Sequence, residues 1–189
     1  GAISRRTLCD HGRHSADAGR FTAKEPRVAR FTAIRTAGVN WSTRPARPTD
    51  AEDLAFIDAA ASENPWSRRQ FVSACTGPGA QHESALVAEE ETTLCGFVVY
   101  SLVLDEASIY NIAVLPHYQR RGLARHLLGI TLANLANRGA IRALLEVRAS
   151  NVAARNLYAS FQFQLDSVRE NYYPASQGRE DAVLMSRLL

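Results

Sequence analysis

Cysteine is scarce in this chain. Its 189 residues hold three, Cys9, Cys75 and Cys95, an odd number with no Cys-x-x-Cys spacing. That pattern argues against a disulfide framework and a thiolate zinc site, and for a reducing compartment. Cys75 and Cys95 are expected in the core and Cys9 in a tail. No apolar run reaches the roughly 18 residues that a membrane helix needs, so no span is expected. His117 and His126 lack ligand-like spacing; both are expected on the surface, and no metal site is expected. Internal repeats and low-complexity tracts are absent. Lysine is nearly absent too, with 1 against 21 arginines, which says nothing about mechanism.

What is present is an ordinary globular composition, 46% hydrophobic and 22% charged, long enough for one domain with an extension. The charge is unevenly divided. Residues 1–47 carry 10 basic and 3 acidic side chains, a net of +7; residues 48–189 carry 12 and 16, a net of −4. The basic pI belongs to the front end, so direct nucleic-acid binding by the folded part is not expected. An acidic domain favours a cationic partner, such as an Arg-rich or Lys-rich peptide. Residues 1–40 show no sustained apolar period and read as a basic, flexible extension. Because the segment is Arg-rich and begins at Gly1, a transit segment, a vector-derived start and an interaction arm stay open as alternatives.

The domain is expected over residues 41–189. A short strand, Trp41 to Pro45, precedes a helix from Ala51 to about Ala61, capped by Thr49 or Asp50, with Leu54 and Ile57 inward. Asn64-Pro65 breaks it, and Ser67 caps a second short helix carrying Phe71 and Val72. A loop follows at Pro78 and Gly79. Ala85 to Ala88 and Leu94 to Leu104 form a hairpin across the polar turn 89–93, and Asp105-Glu106 makes a second turn. The β-branched run Ile109 to Leu115 is a strand closed by Pro116. Leu123, Leu127, Ile130 and Leu135 line one face of a helix that Gly139 ends. Ile141 to Val147 is a strand, and Asn151 starts a helix with Ala154, Leu157, Tyr158 and Phe161. Phe163 to Val168 and Ala182 to Leu188 are expected as a closing strand pair around a polar loop, 169–181. The element order gives an α/β domain with a mixed, mostly antiparallel sheet flanked by helices.

Two stretches carry chemistry. In Gln119-Arg120-Arg121-Gly122-Leu123-Ala124 a strand gives way to a helix start, where backbone N–H groups lack intrahelical partners and the dipole is positive. Gly122 permits close backbone approach, Ala124 adds little bulk, and the arginines add charge, an arrangement suited to a pyrophosphate. In the apolar strand Leu145-Glu146-Val147, a carboxylate is costly without a partner or a task. Glu146 is either the solvent-facing member of an alternating strand or, if buried, a base of raised pKa.

Asn111-Ile-Ala-Val-x-Pro-x-Tyr-Gln-Arg-x-Gly-Leu-Ala124 resembles the acetyl-CoA motif of the GNAT N-acetyltransferases. Leu145-Glu-Val-Arg-Ala-Ser-Asn151, Leu157-Tyr158, Asn171-Tyr-Tyr-Pro174 and Gly178-Arg-Glu-Asp-Ala182 are similar to the bacterial ribosomal-protein alanine N-acetyltransferases within that superfamily. So are Asn64-Pro-Trp-Ser67 and Leu104-Asp-Glu-Ala107. The likeness covers roughly residues 43–188.

The resemblance implies the GNAT fold and a cytoplasmic enzyme that transfers acetyl from acetyl-CoA to the N-terminal alanine of a basic small-subunit ribosomal protein. It implies Glu146 as general base and Tyr158 as general acid. Acetyl-CoA would lie against Ile112, Ala113, Val114, Gln119, Arg120, Arg121, Gly122, Leu123, Ala124, Arg125 and Asn151. One backbone N–H near 112–114 would serve the oxyanion. Trp66, Tyr172 and Tyr173 would line the peptide site, and no covalent acyl-enzyme is implied. Gln162 departs from the family's Gly before Phe; if φ > 0 is needed there, a strained or reshaped turn is expected. A lysine, polyamine or small-molecule acceptor, and a non-catalytic acetyl-CoA-binding or ribosome-associated module, are the competing readings.

Overall fold

The computed structural model describes residues 41–76, 83–176 and 178–189. The expected extension over 1–40, with Cys9, and the loop at Pro78 and Gly79 fall outside them. Among the described residues seven strands form one sheet in the order β1-β2-β3-β4-β5-β7-β6. They are β1 Trp41–Pro45, β2 Glu83–Glu90, β3 Thr93–Val103, β4 Glu106–Val114, β5 Arg142–Arg148, β6 Gln164–Ala175 and β7 Gly178–Leu188. Four described helices flank it: α1 Ala51–Ala61, α2 Arg68–Cys75, α3 Leu123–Asn137 and α4 Val152–Ser160. Every neighbouring strand pair is antiparallel except β4 and β5.

Strand alternation divides the core in two. One face of the sheet sends Val87, Phe97 and Val99 against Leu54 and Ile57 of α1 and Phe71 of α2. The opposite face sends Leu86, Val98, Ile109, Leu145 and Val147 against Leu123, Leu127 and Leu135 of α3 and Tyr158 of α4. The expected inward face of α3 is buried, and so are Cys75 and Cys95. Each fully buried large side chain is worth about 1.5–3 kcal/mol relative to exposure. Gly96 on β3 has a local role: a Cβ there would stand 2.8 Å from the Ala113 carbonyl oxygen and 3.1 Å from Val114 Cγ2. Only glycine lets β4 and the start of α3 close down at that point.

Several boundaries differ from those read in the sequence. The stretch expected as a loop over 169–181 is mostly strand: β6 runs on to Ala175, and β7 starts at Gly178. Their polarity reflects position, since β6 is an edge strand whose side chains are nearly all exposed. Between Arg169 and Tyr173 the register slips, and Asn171 takes φ +51°. The β2–β3 turn is tighter than expected, with both strands reaching to Glu90 and Thr93. β4 begins at Glu106, and Ile141 stands outside β5, 57% exposed. Asp50, rather than Thr49, is the N-cap of α1, but its carboxylate serves Arg44 and the Arg47 N–H instead of the helix. His126 is not a free surface residue: it is half-buried with its ring 6.2 Å from Trp41, and burial lowers its pKa.

Candidate active site

The parallel pairing of β4 with β5 starts at Glu106 against Arg142 and stops at Ile109 against Leu145. Beyond that pair the two strands part. A cavity of about 440 Å³ lies at the opening, and Trp66, Asn111, Glu146, Asn151, Tyr158 and Tyr173 all line it. The splay is thus where four separate stretches of sequence meet: the α1–α2 connection, β4, the β5–α4 segment and the β6 bulge.

Glu146 is the first β5 residue past the last parallel pair. Its side chain is about a quarter exposed, so the apolar enclosure considered for it is replaced by partners. Oε1 accepts the Tyr173 hydroxyl at 2.8 Å, and Oε2 accepts Arg169 Nη1 at 2.9 Å. A carboxylate has about four lone-pair sites, so capacity for a further donor remains. Burial, then the bond to Glu146, pushes the Tyr173 phenol well above its ordinary range. Arg148 stacks on Tyr173 at 4.5 Å and donates to the Pro174 carbonyl at 2.9 Å, fixing that ring over the cavity. Tyr172 is 42% exposed, edge-on to Tyr173 at 5.0 Å and under Arg169 at 5.3 Å.

Tyr158 comes to the same cavity from α4. Its ring is 6% exposed and packs against Phe163 at 5.9 Å. Burial pushes its pKa up to about 12, so the hydroxyl keeps its proton at neutral pH. Asn151 caps α4, its Oδ1 accepting the Ala154 N–H at 3.0 Å. Trp66 does two things at once: it lines the cavity, and its ring sits 5.5 Å from Phe71 of α2. Ile112 lines the cavity as well, whereas the Ala113 and Val114 side chains turn into the core. The cysteines stand apart from this chemistry. Burial pushes Cys75 up to about 11 and raises Cys95, leaving both as inert thiols.

At the far end of β4, the chain makes a short 3-10 turn, Pro116–Tyr118, and enters α3 through Gly122. Gly122 is the N-cap of α3 at φ +88°, ψ +3°. Having no side chain, it leaves the first-turn amides of α3 free of a competing cap. Gln119 Nε2 donates to the Val114 carbonyl at 3.0 Å, tying the loop to the strand. Arg120 is held at φ +60°. Arg121 lies over the Tyr118 ring at 5.2 Å and 3.7 Å from Glu90, and Arg125 donates to Ser160 at 2.9 Å. Backbone amides at a positive helix end, with arginines beside them, fit an anionic phosphate group.

This arrangement can be compared with known proteins. Residues 49–163 match the Acetyltransferase (GNAT) family. The chain belongs to the GNAT family. Its sequence is 42% identical over 138 residues to the ribosomal protein bS18-alanine N-acetyltransferase of Salmonella typhimurium strain LT2, over 73% of this chain and 90% of that protein. Identity to the Escherichia coli K12 protein of the same name is 41% over 138 residues, with the same shares. The crystal structure of the Escherichia coli ribosomal-protein-S18-alanine N-acetyltransferase superposes with a TM-score of 0.73 at 37% identity, over 79% of this chain and 94% of that one. Arabidopsis thaliana NAA60, bound to a bisubstrate analogue, shares the fold at 20% identity, with a TM-score of 0.71 over 79% and 98%.

Within this GNAT fold, the sequence reading missed Asp58, Asn111 as a cavity residue, and the pair Arg148 and Arg169. Asp58 was screened by its surroundings: an acidic residue in the polar, alanine-rich stretch of α1 looks solvated until the helix is packed. Arg169 stood at the start of what read as a loop, and Arg148 just past the strand read as Ile141 to Val147, where it ends β5.

Proposed function

We propose that this GNAT enzyme acetylates the α-amine of a protein N-terminus, with the N-terminal alanine of a small-subunit ribosomal protein as acceptor and acetyl-CoA as donor. The observation that carries this is the meeting of Glu146 and Tyr158 on one cavity at the β4–β5 splay, at the other end of the strand that feeds the Gly122 amide cradle. The close relatives named for that same acceptor support the choice.

The chemistry follows from the residues. Acetyl-CoA supplies a thioester carbonyl. The acceptor's α-amine has a pKa near 8, so at neutral pH it is mostly ammonium and must lose a proton before it attacks. Glu146, directly or through one water, takes that proton, with Arg169 and Tyr173 holding the carboxylate in place. A backbone N–H in the 112–114 stretch of β4, past the end of its pairing with β5, stabilises the oxyanion. Tyr158, still protonated, donates to the departing thiolate. Gln119, Gly122, Leu123 and Ala124 hold the pyrophosphate on their backbone amides, with Arg120, Arg121 and Arg125 at its rim and Asn151 at the far side of the cleft. Trp66, Tyr172 and Tyr173 flank the peptide. Holding both substrates together supplies much of the acceleration.

The partner in this proposal is a basic N-terminal segment, drawn by the acidic balance of residues 48–189, and the place of work is the cytoplasm. No described helix is long and apolar enough to cross a membrane. Residues 41–189 form the catalytic domain, and 1–40 an appended basic segment. The deciding experiment offers labelled acetyl-CoA and two Arg-rich peptides, one with a free N-terminal alanine, the other N-terminally blocked with an internal lysine. Label is expected on the free N-terminus alone. Label on the blocked peptide would replace this function with lysine acetylation.

A further inference from the structure

The cavity holds a second carboxylate. Asp58, near the end of α1, lines it and is 2% exposed. Its Oδ2 accepts the Trp66 backbone N–H at 2.7 Å and the Asn111 side-chain amide at 3.0 Å. Oδ1 accepts no hydrogen bond among the described residues. Burial raises the pKa of this group, and the two donated bonds oppose that rise.

Both donors are neutral, so they stabilise the anion without cancelling its charge. The other acidic groups nearby are differently placed. Glu146 has Arg169 at 2.9 Å, and Glu180 has Arg148 at 3.3 Å. Among the described residues Asp58 has no cationic partner, and a buried carboxylate without one is costly. Its bonds also fix where the charge sits. They tie the end of α1 and the α1–α2 connection to Asn111, two residues beyond the last β4–β5 pair. The uncompensated charge is therefore held at the mouth of the splay, on the wall of the cavity that Glu146 also lines.

Taking the acceptor class proposed above, we propose that Asp58 is the acceptor-binding residue, receiving the α-ammonium of the incoming N-terminus. The slight exposure suits a compact ammonium, bound directly or through one water. The ammonium enters as a cation, is held by Asp58, and passes its proton to Glu146. The amine then attacks, and Asp58 takes no part in the proton transfer. Because Arg169 already balances Glu146, the attraction for a cation comes from Asp58.

The test uses the whole chain with CoA bound and titrates two peptides by calorimetry. One is the Ala-started peptide; the other is its desamino form, with hydrogen in place of the amine. Wild type is expected to prefer the free amine by about tenfold or more, the scale of one charge-assisted hydrogen bond. Asp58→Asn is expected to lower that preference to about twofold or less, with acetyl-CoA affinity unchanged. A preference retained in Asp58→Asn overturns the inference. Should that variant not fold, the wild type decides: the Asp58 carboxyl carbon resonance must shift with the free-amine peptide and not with the desamino one, and equal shifts overturn the inference. If wild type binds acetyl-CoA but neither peptide, the acceptor class itself is wrong, and the role of Asp58 falls with it.

Discussion

Gly122→Ala isolates the conformational part of the proposed donor site. Gly122 sits at φ +88°, and a Cβ built there meets nothing within 4 Å. Steric collision with the protein is therefore absent, and the whole cost is that of placing an L-residue in the left-handed region. That cost is about 1–2 kcal/mol. Alanine also narrows the unfolded ensemble, which offsets about 0.4–1 kcal/mol, so the net is roughly 1 kcal/mol. It can surface in two places. If the loop keeps its positive φ, the melting temperature falls by about 2–4 °C, the shift expected per kcal/mol for a chain of this size. If the loop relaxes to negative φ, stability holds and the KM for acetyl-CoA rises about fivefold, because the cradle must be rebuilt on binding. Thermal melts and acetyl-CoA titrations of the same preparation read both. Gly122→Asn, which tolerates the left-handed region better, should recover most of the loss. An asparagine variant as impaired as alanine, or impaired more, would refute the reasoning and show that bulk toward the ligand is what matters.

Glu146→Gln should lower kcat by about 10²–10⁴ with little change in the acceptor KM, since glutamine can still accept the Tyr173 hydroxyl; a change confined to KM would make Glu146 a binding group. Tyr158→Phe keeps the packing on Phe163, so kcat should fall without loss of stability below pH 10. The sign of its alkaline behaviour is fixed: with the folded pKa near 12 and the unfolded value near 10, the unfolded chain loses its proton first as pH rises. Wild type should then lose up to about 2 kcal/mol of stability between pH 10 and 12 that the Phe variant does not lose, as denaturant melts across that range would reveal. Gln162→Gly should stabilise the protein by about 1 kcal/mol, because Gln162 sits at φ +65°; a lower melting temperature would contradict this.

Gln162 also illustrates how far sequence alone reached. The family's glycine before Phe raised only the condition that φ be positive there, and the structure meets it and supplies the reason. Gln162 N–H bonds the Ala159 carbonyl and Phe163 N–H the Tyr158 carbonyl, a helix-ending pattern that requires a positive φ. Helices were legible because Leu123, Leu127 and Leu135 repeat with the helical period, and inner strands because 85–88 and 95–100 are short apolar runs, buried on both faces of the sheet. The β6–β7 hairpin was not, because an edge strand has no buried face to impose alternation. For the site, Glu146 and the 119–124 loop were marked by local pattern, and Tyr158 by the family resemblance alone. Asp58 and Arg169 were not: each matters through a partner, Asn111 or Glu146, that lies 53 or 23 residues away.

β6 is a 12-residue strand at the open margin of the sheet, and such a margin invites another chain to pair with it and aggregate. Its irregularities oppose that outcome. Asp166, Arg169 and Glu170 put charges along it, the slip around Asn171 breaks the flat ladder, and Pro174 offers no N–H. The same slip brings Tyr173 over Glu146. Straightening β6 by replacing that segment with a regular, β-favouring one would therefore do two kinds of harm together: it would free a sticky edge and take a tyrosine from Glu146, the proposed base. On the proposed role of Glu146, solubility and turnover would be coupled through one bulge.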